Sequence, residues 1–296
     1  MATPLGAARR LIADGHRPTL LLSAHRTPFG TRSLLAVAPD ATIQQATGAG
    51  LPAIPPRLVH EAGGEGVWIG AIAYDAGLDL LGIAGRHAPR DPAVLAHYHR
   101  TYAEYDGAWR VHGPDGPARA LLEAAIAGDD PPAPTAVPAA RTATSGLDRA
   151  TFAARAREVQ RLIAAGEAFE INLAHLMRTP WADGGWALFE RLVAVSPADH
   201  AAYLAGDGVE LASVSPEVFL HVRDGRAETR PIKGTRRRGA DDAEDAALAA
   251  ELTASAKDRA ENVMIVDLLR NDLTATAEPG SVRVTALCEL ERTEHV

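Results

Sequence analysis

One lysine and two glutamates are the side chains of this sequence whose surroundings favour chemistry. Lys233 lies between Ile232 and Gly234, and an amine becomes a nucleophile when desolvation or its neighbours free the lone pair. Glu217 precedes the lysine by 16 residues, and Glu261 follows it by 28. Together they supply an amine that could attack, a carboxyl group that could donate a proton and a carboxylate that could hold a metal.

A predicted hairpin brings the first glutamate to the lysine. The strand-like stretches 218–222 and 227–232 flank Asp224-Gly225, a dipeptide that favours a tight turn. Glu217 falls opposite Ile232 with a two-residue turn and opposite Lys233 with a three-residue turn, and opposed Cβ atoms lie roughly 5 Å apart. Two interpretations stay open. The pair is either a surface ion pair worth at most about 1 kcal/mol, or a nucleophile and its general acid.

A long helical block carries the second glutamate. Periodicity predicts it from about residue 241 to 273, with a break near Ser255 and a restart at Asp258. Glu261 shares a helical face with Ile265 and Leu268, where a carboxylate is costly unless it is paired. It is either a first-turn acid that faces the helix dipole or a ligand for a hard cation.

The proline-rich stretch 129–138 is the clearest boundary in the chain. We therefore predict an N-terminal region (1–130), a Pro/Ala-rich linker (131–145) and a catalytic region (146–296). The other predicted elements are strands at 19–22, 67–74 and 169–173, a loop at 52–56 and a helix at 148–166. This pattern indicates mixed α and β structure without a regular βαβ alternation.

Composition excludes several classes of protein. The net charge of −8 gives no attraction to nucleic acid or to an anionic membrane, and the short cluster 236–238 of three arginines fits a solvated loop. A single cysteine, Cys288, excludes an internal disulfide framework and a multi-cysteine zinc site. The sequence has no apolar run of about 20 residues and no N-terminal signal pattern. These features predict a cytoplasmic protein without nucleic-acid or membrane partners.

Several segments together resemble the chorismate-utilising enzymes, which include the component I subunits of aminodeoxychorismate synthase and anthranilate synthase and the isochorismate and salicylate synthases. The matching stretches are 166–173 (GEAFEINL), 215–220 (SPEVFL), 231–236 (PIKGTR), 257–273 (KDRAENVMIVDLLRNDL) and 280–284 (GSVRV), with a weaker match at 68–75. The resemblance implies an α+β fold, a two-layer α/β sandwich.

The resemblance also implies a reaction and a role for each site residue. The family reaction is a Mg²⁺-assisted substitution on the chorismate ring. By resemblance, Lys233 attacks C2, Glu217 is the general acid for the C4 hydroxyl and Glu261 is a magnesium ligand. Gly234 and Thr235 line the site for the substrate carboxylate.

Two positions bear on the branch of the family. Lys233 stands where anthranilate synthases usually carry alanine and aminodeoxychorismate synthases carry lysine. Glu170 stands where the isochorismate and salicylate synthases place a lysine base and the aminating enzymes more often have glutamine. The resemblance thus implies 4-amino-4-deoxychorismate as product, in para-aminobenzoate and folate biosynthesis. Ammonia would come from a glutamine amidotransferase subunit.

The family pattern continues past the end of this sequence. Its catalytic histidine would fall two positions after Val296, so that His295 does not correspond to it, and a second magnesium carboxylate lies further on. We therefore expect a C-terminally truncated or partial chain that is inactive alone. Three hypotheses stay open: an aminodeoxychorismate synthase component I, an anthranilate synthase component I with an unusual lysine, and a non-catalytic homologue that keeps a partner-binding surface.

Overall fold

The structure is a computed structural model that describes residues 1–24, 32–46, 66–83, 92–133, 142–293 and 295–296. These residues form two compact units, one of Met1–Pro131 with Gly185–Val296 and one of Pro132–Gly184. The larger unit joins segments from both sides of the predicted linker, whereas the predicted boundaries follow the order of the chain. Along the described residues, no helix combines the length and the apolar character needed to cross a bilayer.

Helices and strands are interspersed along the chain. The helices are α1 (Pro4–Ala13), α2 (Tyr74–Leu80), α3 (Pro117–Ala127), α4 (Arg149–Ala164), α5 (Gly184–Val195), α6 (Asp242–Ala254) and α7 (Ala256–Thr274). The strands are β1 (Thr19–Leu22), β2 (Ser33–Ala36), β3 (Ala41–Ala46), β4 (Val67–Ile72), β5 (Pro92–His99), β6 (Tyr102–Tyr105), β7 (Trp109–His112), β8 (Thr144–Ser145), β9 (Met177–Arg178), β10 (His200–Ala205), β11 (Glu210–Ser215), β12 (Val218–Arg223) and β13 (Arg226–Arg230).

A six-stranded antiparallel sheet organises the larger unit, in the order β11-β10-β1-β2-β6-β7. Strand β1 lies inside this sheet. Its Leu20 pairs with Leu35 of β2 on one side and with Tyr203 of β10 on the other. The N-terminal region and the segment after residue 185 therefore share one sheet and one core.

The two faces of this sheet bury different partners because side chains alternate along a strand. Leu20 belongs to a core formed with α1, α3 and α5, in which Phe189 and Tyr203 are fully buried. The next residue, Leu21, packs with Leu95 and Leu204 in a core shared with the three-stranded sheet β3-β5-β4. Burying one such leucine stabilises the fold by about 1.5–3 kcal/mol.

The hairpin and the helical block after the large sheet agree with the sequence predictions. Strands β12 and β13 pair across Asp224 and Gly225, whose φ angles of 51° and 73° match the left-handed positions of a type I′ turn. Helix α6 ends at Ala254, and Ser255 begins α7 by accepting a hydrogen bond from the Asp258 amide. The predicted hairpin and the helix break near Ser255 are confirmed, and α7 begins at Ala256, two residues before the predicted restart at Asp258.

The smaller unit contains α4 and the short β8–β9 pair. Helix α4 begins at the start of the predicted helix, where the Asp148 side chain accepts a hydrogen bond from the Thr151 amide at 2.7 Å. It ends just before Gly166, which has a φ of 74°. The strand predicted at 169–173 is wrong, since these residues form no ladder in the structure and Phe169 is exposed. An apolar run becomes a strand only where a neighbouring strand supplies hydrogen-bond partners.

Two further predictions concern the N-terminal region. The predicted strand 67–74 ends at Ile72, and Tyr74 begins α2 instead of extending the strand. The loop predicted at 52–56 lies outside the described residues.

Candidate active site

A cleft of about 860 Å³ opens in the larger unit beside the lysine motif. Its walls are the segments 196–200, 230–238 and 288–293 and the facing sides of α6 and α7. Lys233, Gly234 and Thr235 all line it. Three of the five predicted site residues therefore face one cavity of a size that suits a small-molecule ligand.

Gly234 sets the path of the backbone next to the lysine. Its φ of 76° is left-handed, and a Cβ placed on it would lie 2.8 Å from Cβ of Asp258 and 3.0 Å from a methyl group of Leu252. Only glycine combines this angle with so close an approach. The segment that carries Lys233 therefore lies directly against the corner between α6 and α7. The lysine itself is half-buried.

Glu217 reaches this segment through its side chain. The hairpin ladder shifts between Val218, which pairs with Arg230, and His221, which pairs with Glu228. This bulge adds one residue to β12. Glu217 therefore does not stand opposite Ile232 or Lys233, which are the two positions that the predicted registers gave it. Its Oε1 instead accepts a hydrogen bond from the amide of Ile232 at 3.0 Å.

The side chain of Glu217 is exposed and does not itself line the cleft. Because Ile232 does line it, the carboxyl group is fastened to the residue adjacent to Lys233. The hydrogen bond occupies Oε1 and leaves Oε2 to carry a proton. The structure thus brings Glu217 and the lysine segment together, as the hairpin argument predicted, by a contact that the argument did not foresee.

The three arginines after Thr235 are paired with acidic residues of α6 and α7. Arg236 contacts Glu251 at 2.7 Å and Asp258 at 3.0 Å. The Ser255 hydroxyl and then Arg236 hold the pKa of Asp258 below its usual value. The cluster lies in a loop with partly exposed side chains, as predicted, and these ion pairs link the loop to the two helices.

The other two arginines bind the first turn of α6. Arg238 holds both oxygens of Asp245, at 2.6 and 3.1 Å, and Arg237 pairs with Glu244. The hydrogen bond from Arg238 lowers the pKa of Asp245 to about 2. Bidentate pairs of this kind fix geometry as well as charge. They hold the end of the lysine segment on the helix.

Glu261 lies on α7, half-buried and outside the cleft lining. Its neighbour Asn262 does line the cleft. No group of three or more His, Cys, Asp or Glu side chains that could hold a metal ion occurs among the described residues. One carboxylate does not form a magnesium site unaided, because Mg²⁺ prefers six oxygen ligands. Glu170 lies in the smaller unit, where it is exposed.

Sequence reasoning missed a second group of cleft residues. Asn262 donates from Nδ2 to the carbonyl oxygen of Pro231 at 3.5 Å, and its Oδ1 accepts from the Cys288 thiol at 3.4 Å. Asp258 and Asn262 are four residues apart and so share a helical face. The four-residue spacing indicates that the two side chains lie together on α7. It does not indicate which segment of the chain they contact.

Comparison with known proteins identifies relatives. The family model described as chorismate binding enzyme matches residues 7–296. An aminodeoxychorismate synthase of Streptomyces griseus is 39% identical over 240 residues, which are 76% of this chain and 33% of that protein. Anthranilate synthase component 1 of Geobacillus stearothermophilus is 40% identical over 154 residues, or 52% of this chain and 30% of that protein. The chain thus spans about a third of the length of the curated relatives it matches.

The solved structures bear on the fold. Anthranilate synthase component I from Streptococcus pneumoniae superposes with a TM-score of 0.73 over 91% of this chain and 67% of that chain, at 21% sequence identity. At this identity the likeness shows the fold alone. It confirms the predicted α+β fold class.

Proposed function

Because this chain belongs to the chorismate binding enzyme family, we propose that it carries the site at which chorismate is aminated to 4-amino-4-deoxychorismate. Ammonia would be supplied by a glutamine amidotransferase subunit, in the cytoplasm. The observation that carries this proposal is the position of Lys233, which lines the cleft together with Gly234 and Thr235. A lysine at this position is typical of the aminodeoxychorismate synthases, whereas the anthranilate synthases usually have alanine there.

In the proposed reaction, each residue acts on a stated atom. The amine of Lys233 attacks C2 of chorismate, the electrons of the diene shift, and the bond from C4 to its hydroxyl oxygen breaks. Glu217 supplies the proton with which the hydroxyl leaves as water. Ammonia then adds at C4, the electron shift reverses, and Lys233 is released from C2. Gly234 and Thr235 would bind the carboxylate of the substrate.

Magnesium is part of the proposal, with Glu261 as one of its ligands. The described residues supply too few ligands to hold the ion unaided, and we assign no step to it. When bound, Mg²⁺ would neutralise the charge of the substrate carboxylate. Glu261→Gln should therefore raise the Mg²⁺ concentration that gives half-maximal activity. An unchanged Mg²⁺ dependence would remove Glu261 from the site.

The product assay decides between the two enzymatic hypotheses. The chain and the longest natural reading frame that contains it are incubated with chorismate, an ammonium salt and Mg²⁺, and the products are identified by mass spectrometry. We expect 4-amino-4-deoxychorismate as the main product of whichever protein shows turnover. Anthranilate as the main product would refute the proposal and support the alternative, which the 40% identity to an anthranilate synthase component 1 keeps open.

The sequence supplies a matched control for the nucleophile. It contains two lysines, Lys233 and Lys257. Lys233→Arg keeps the charge but replaces the amine with a guanidinium group, which cannot act as the nucleophile, and it should abolish turnover. Lys257→Arg should leave turnover unchanged. Equal loss in both variants would argue against a covalent role for Lys233.

A further inference from the structure

We infer that Asp258 and Asn262 are positioning residues, which fix the backbone on both sides of Lys233 against one face of α7. This inference rests on the proposed function for the role of Lys233 in the reaction. The contacts themselves stand independently of that role. The sequence alone predicted no role for Asp258 or Asn262 in placing Lys233.

The first anchor follows the lysine. Three residues after it, Arg236 donates from Nη2 to Oδ2 of Asp258 at 3.0 Å. Between them, Gly234 approaches the same aspartate so closely that an added Cβ would lie 2.8 Å from Cβ of Asp258. The aspartate is itself held, since the Ser255 hydroxyl caps its amide at the start of α7. This anchor is therefore rigid on its helix side.

The second anchor precedes the lysine. Two residues before it, the carbonyl oxygen of Pro231 accepts the amide hydrogen bond from Asn262. The other end of the same amide accepts from the Cys288 thiol. An amide supplies the required donor and acceptor at once, whereas a carboxylate would turn an oxygen toward the Pro231 carbonyl.

The two anchors act together because they lie one helical turn apart. Residues four apart on a helix have neighbouring side chains on one face, and the segment 231–236 contains no regular secondary structure that would hold it in place. Pro231 meets α7 at Asn262 and Arg236 meets it at Asp258. The helix therefore serves as a template that sets the position of Lys233, which lies between the two contacts.

The two lysines of the chain make this inference testable without enzymatic activity. Trace acetylation with acetic anhydride, followed by mass spectrometry, gives the labelling rate of Lys233 relative to the N-terminal amine. Asn262→Leu removes the amide at nearly constant volume, and Asp258→Asn removes the charge at constant shape. In each variant the relative rate should change by about threefold or more, which is the lower range of coupling within one hydrogen-bond network.

The controls separate positioning from general loosening. Gln160→Leu makes a comparable amide-to-leucine change on an exposed part of α4 and should leave the relative rate unchanged. Asn262→Gln retains the amide and should restore it in part. If Asn262→Leu does not fold, Asn262→Ser gives the decisive measurement. A Lys233 rate within threefold of the parent in Asp258→Asn and in the Asn262 variant would overturn the inference.

Activity adds a separate reading in a protein that shows turnover. Positioning residues should lower kcat through Lys233, and they should raise KM as well, because Gly234 and Thr235 lie on the same anchored segment. A rise in KM alone would overturn the positioning role. If the variants change the labelling rate of Lys233 but the product assay yields no 4-amino-4-deoxychorismate, the proposed function is refuted. The positioning role of Asp258 and Asn262 is then still supported.

Discussion

Acid should unfold this protein through a buried histidine of β5. His99 is 1% exposed, and neither of its ring nitrogens has a hydrogen-bond partner among the described residues. Burial, and next repulsion from the nearby His97 when that ring is protonated, lower its pKa from 6.5 to about 4. The Val37 carbonyl opposes this shift but does not meet hydrogen-bond geometry. The neighbour His97 is satisfied as a neutral ring between Thr42 and Ala205, and burial lowers its pKa as well.

The sign and size of the effect follow from linkage. The unfolded chain binds a proton near pH 6.5 and the folded chain near pH 4, so the folded state loses stability as the pH falls through this window. The full loss is about 3 kcal/mol, from about 1.4 kcal/mol per pKa unit, and about 2 kcal/mol of it is reached at pH 5. A loss of this size is a large fraction of the 5–15 kcal/mol that is typical of a folded domain.

Urea unfolding at pH 8 and pH 5 measures this loss. Intrinsic fluorescence of the four tryptophans follows the transition, and one of them, Trp68, pairs with Tyr98 on the strand that carries His99. For His99→Phe, the stability difference between the two pH values should shrink by about 2 kcal/mol. Comparing each protein with itself cancels the packing cost of the larger ring.

An exposed histidine provides the control. His221 lies on β12 in contact with water, and His221→Phe should keep the pH dependence of the parent protein. The reasoning is refuted if His99→Phe retains the full loss between pH 8 and pH 5. It is also refuted if His221→Phe abolishes that loss.

Three further predictions concern the site and the core. Glu217→Gln should lower turnover by about 10²–10⁴-fold with little change in KM, since general acid catalysis contributes that much; a loss below about threefold would return Glu217 to a structural role. Gly234→Ala should cost several kcal/mol in urea unfolding, because about 1–2 kcal/mol of left-handed strain adds to the contact with the α6–α7 corner. Gly225→Ala, which has open space around it, should cost the strain alone, and equal losses would contradict the close approach. Glu190→Leu should destabilise by up to about 3–5 kcal/mol, because the half-buried Arg9 loses its carboxylate partner and is left with the Pro131 carbonyl; a loss below about 1 kcal/mol would show that the pair is effectively solvated.

The sequence by itself determined the features that neighbouring residues satisfy. Asp148 and Ser255 begin their helices through hydrogen bonds to amides three residues on, and Asp224-Gly225 forms the predicted turn. The order and spacing of the motifs also gave the family, which the match over residues 7–296 shows. Such features are readable because both partners lie within one or two turns of chain.

Only the tertiary structure decided how distant segments meet. The pairing of β1 with β10 joins strands about 180 residues apart, and the β12 bulge moved Glu217 off both predicted registers. The contacts of Asn262 with Pro231 and Cys288 span 31 and 26 residues. A periodic pattern shows which face of an element is apolar or polar, but not which partner covers that face. That choice depends on packing and hydrogen bonding summed over the whole fold, which is why the residues around Lys233 became visible only in three dimensions.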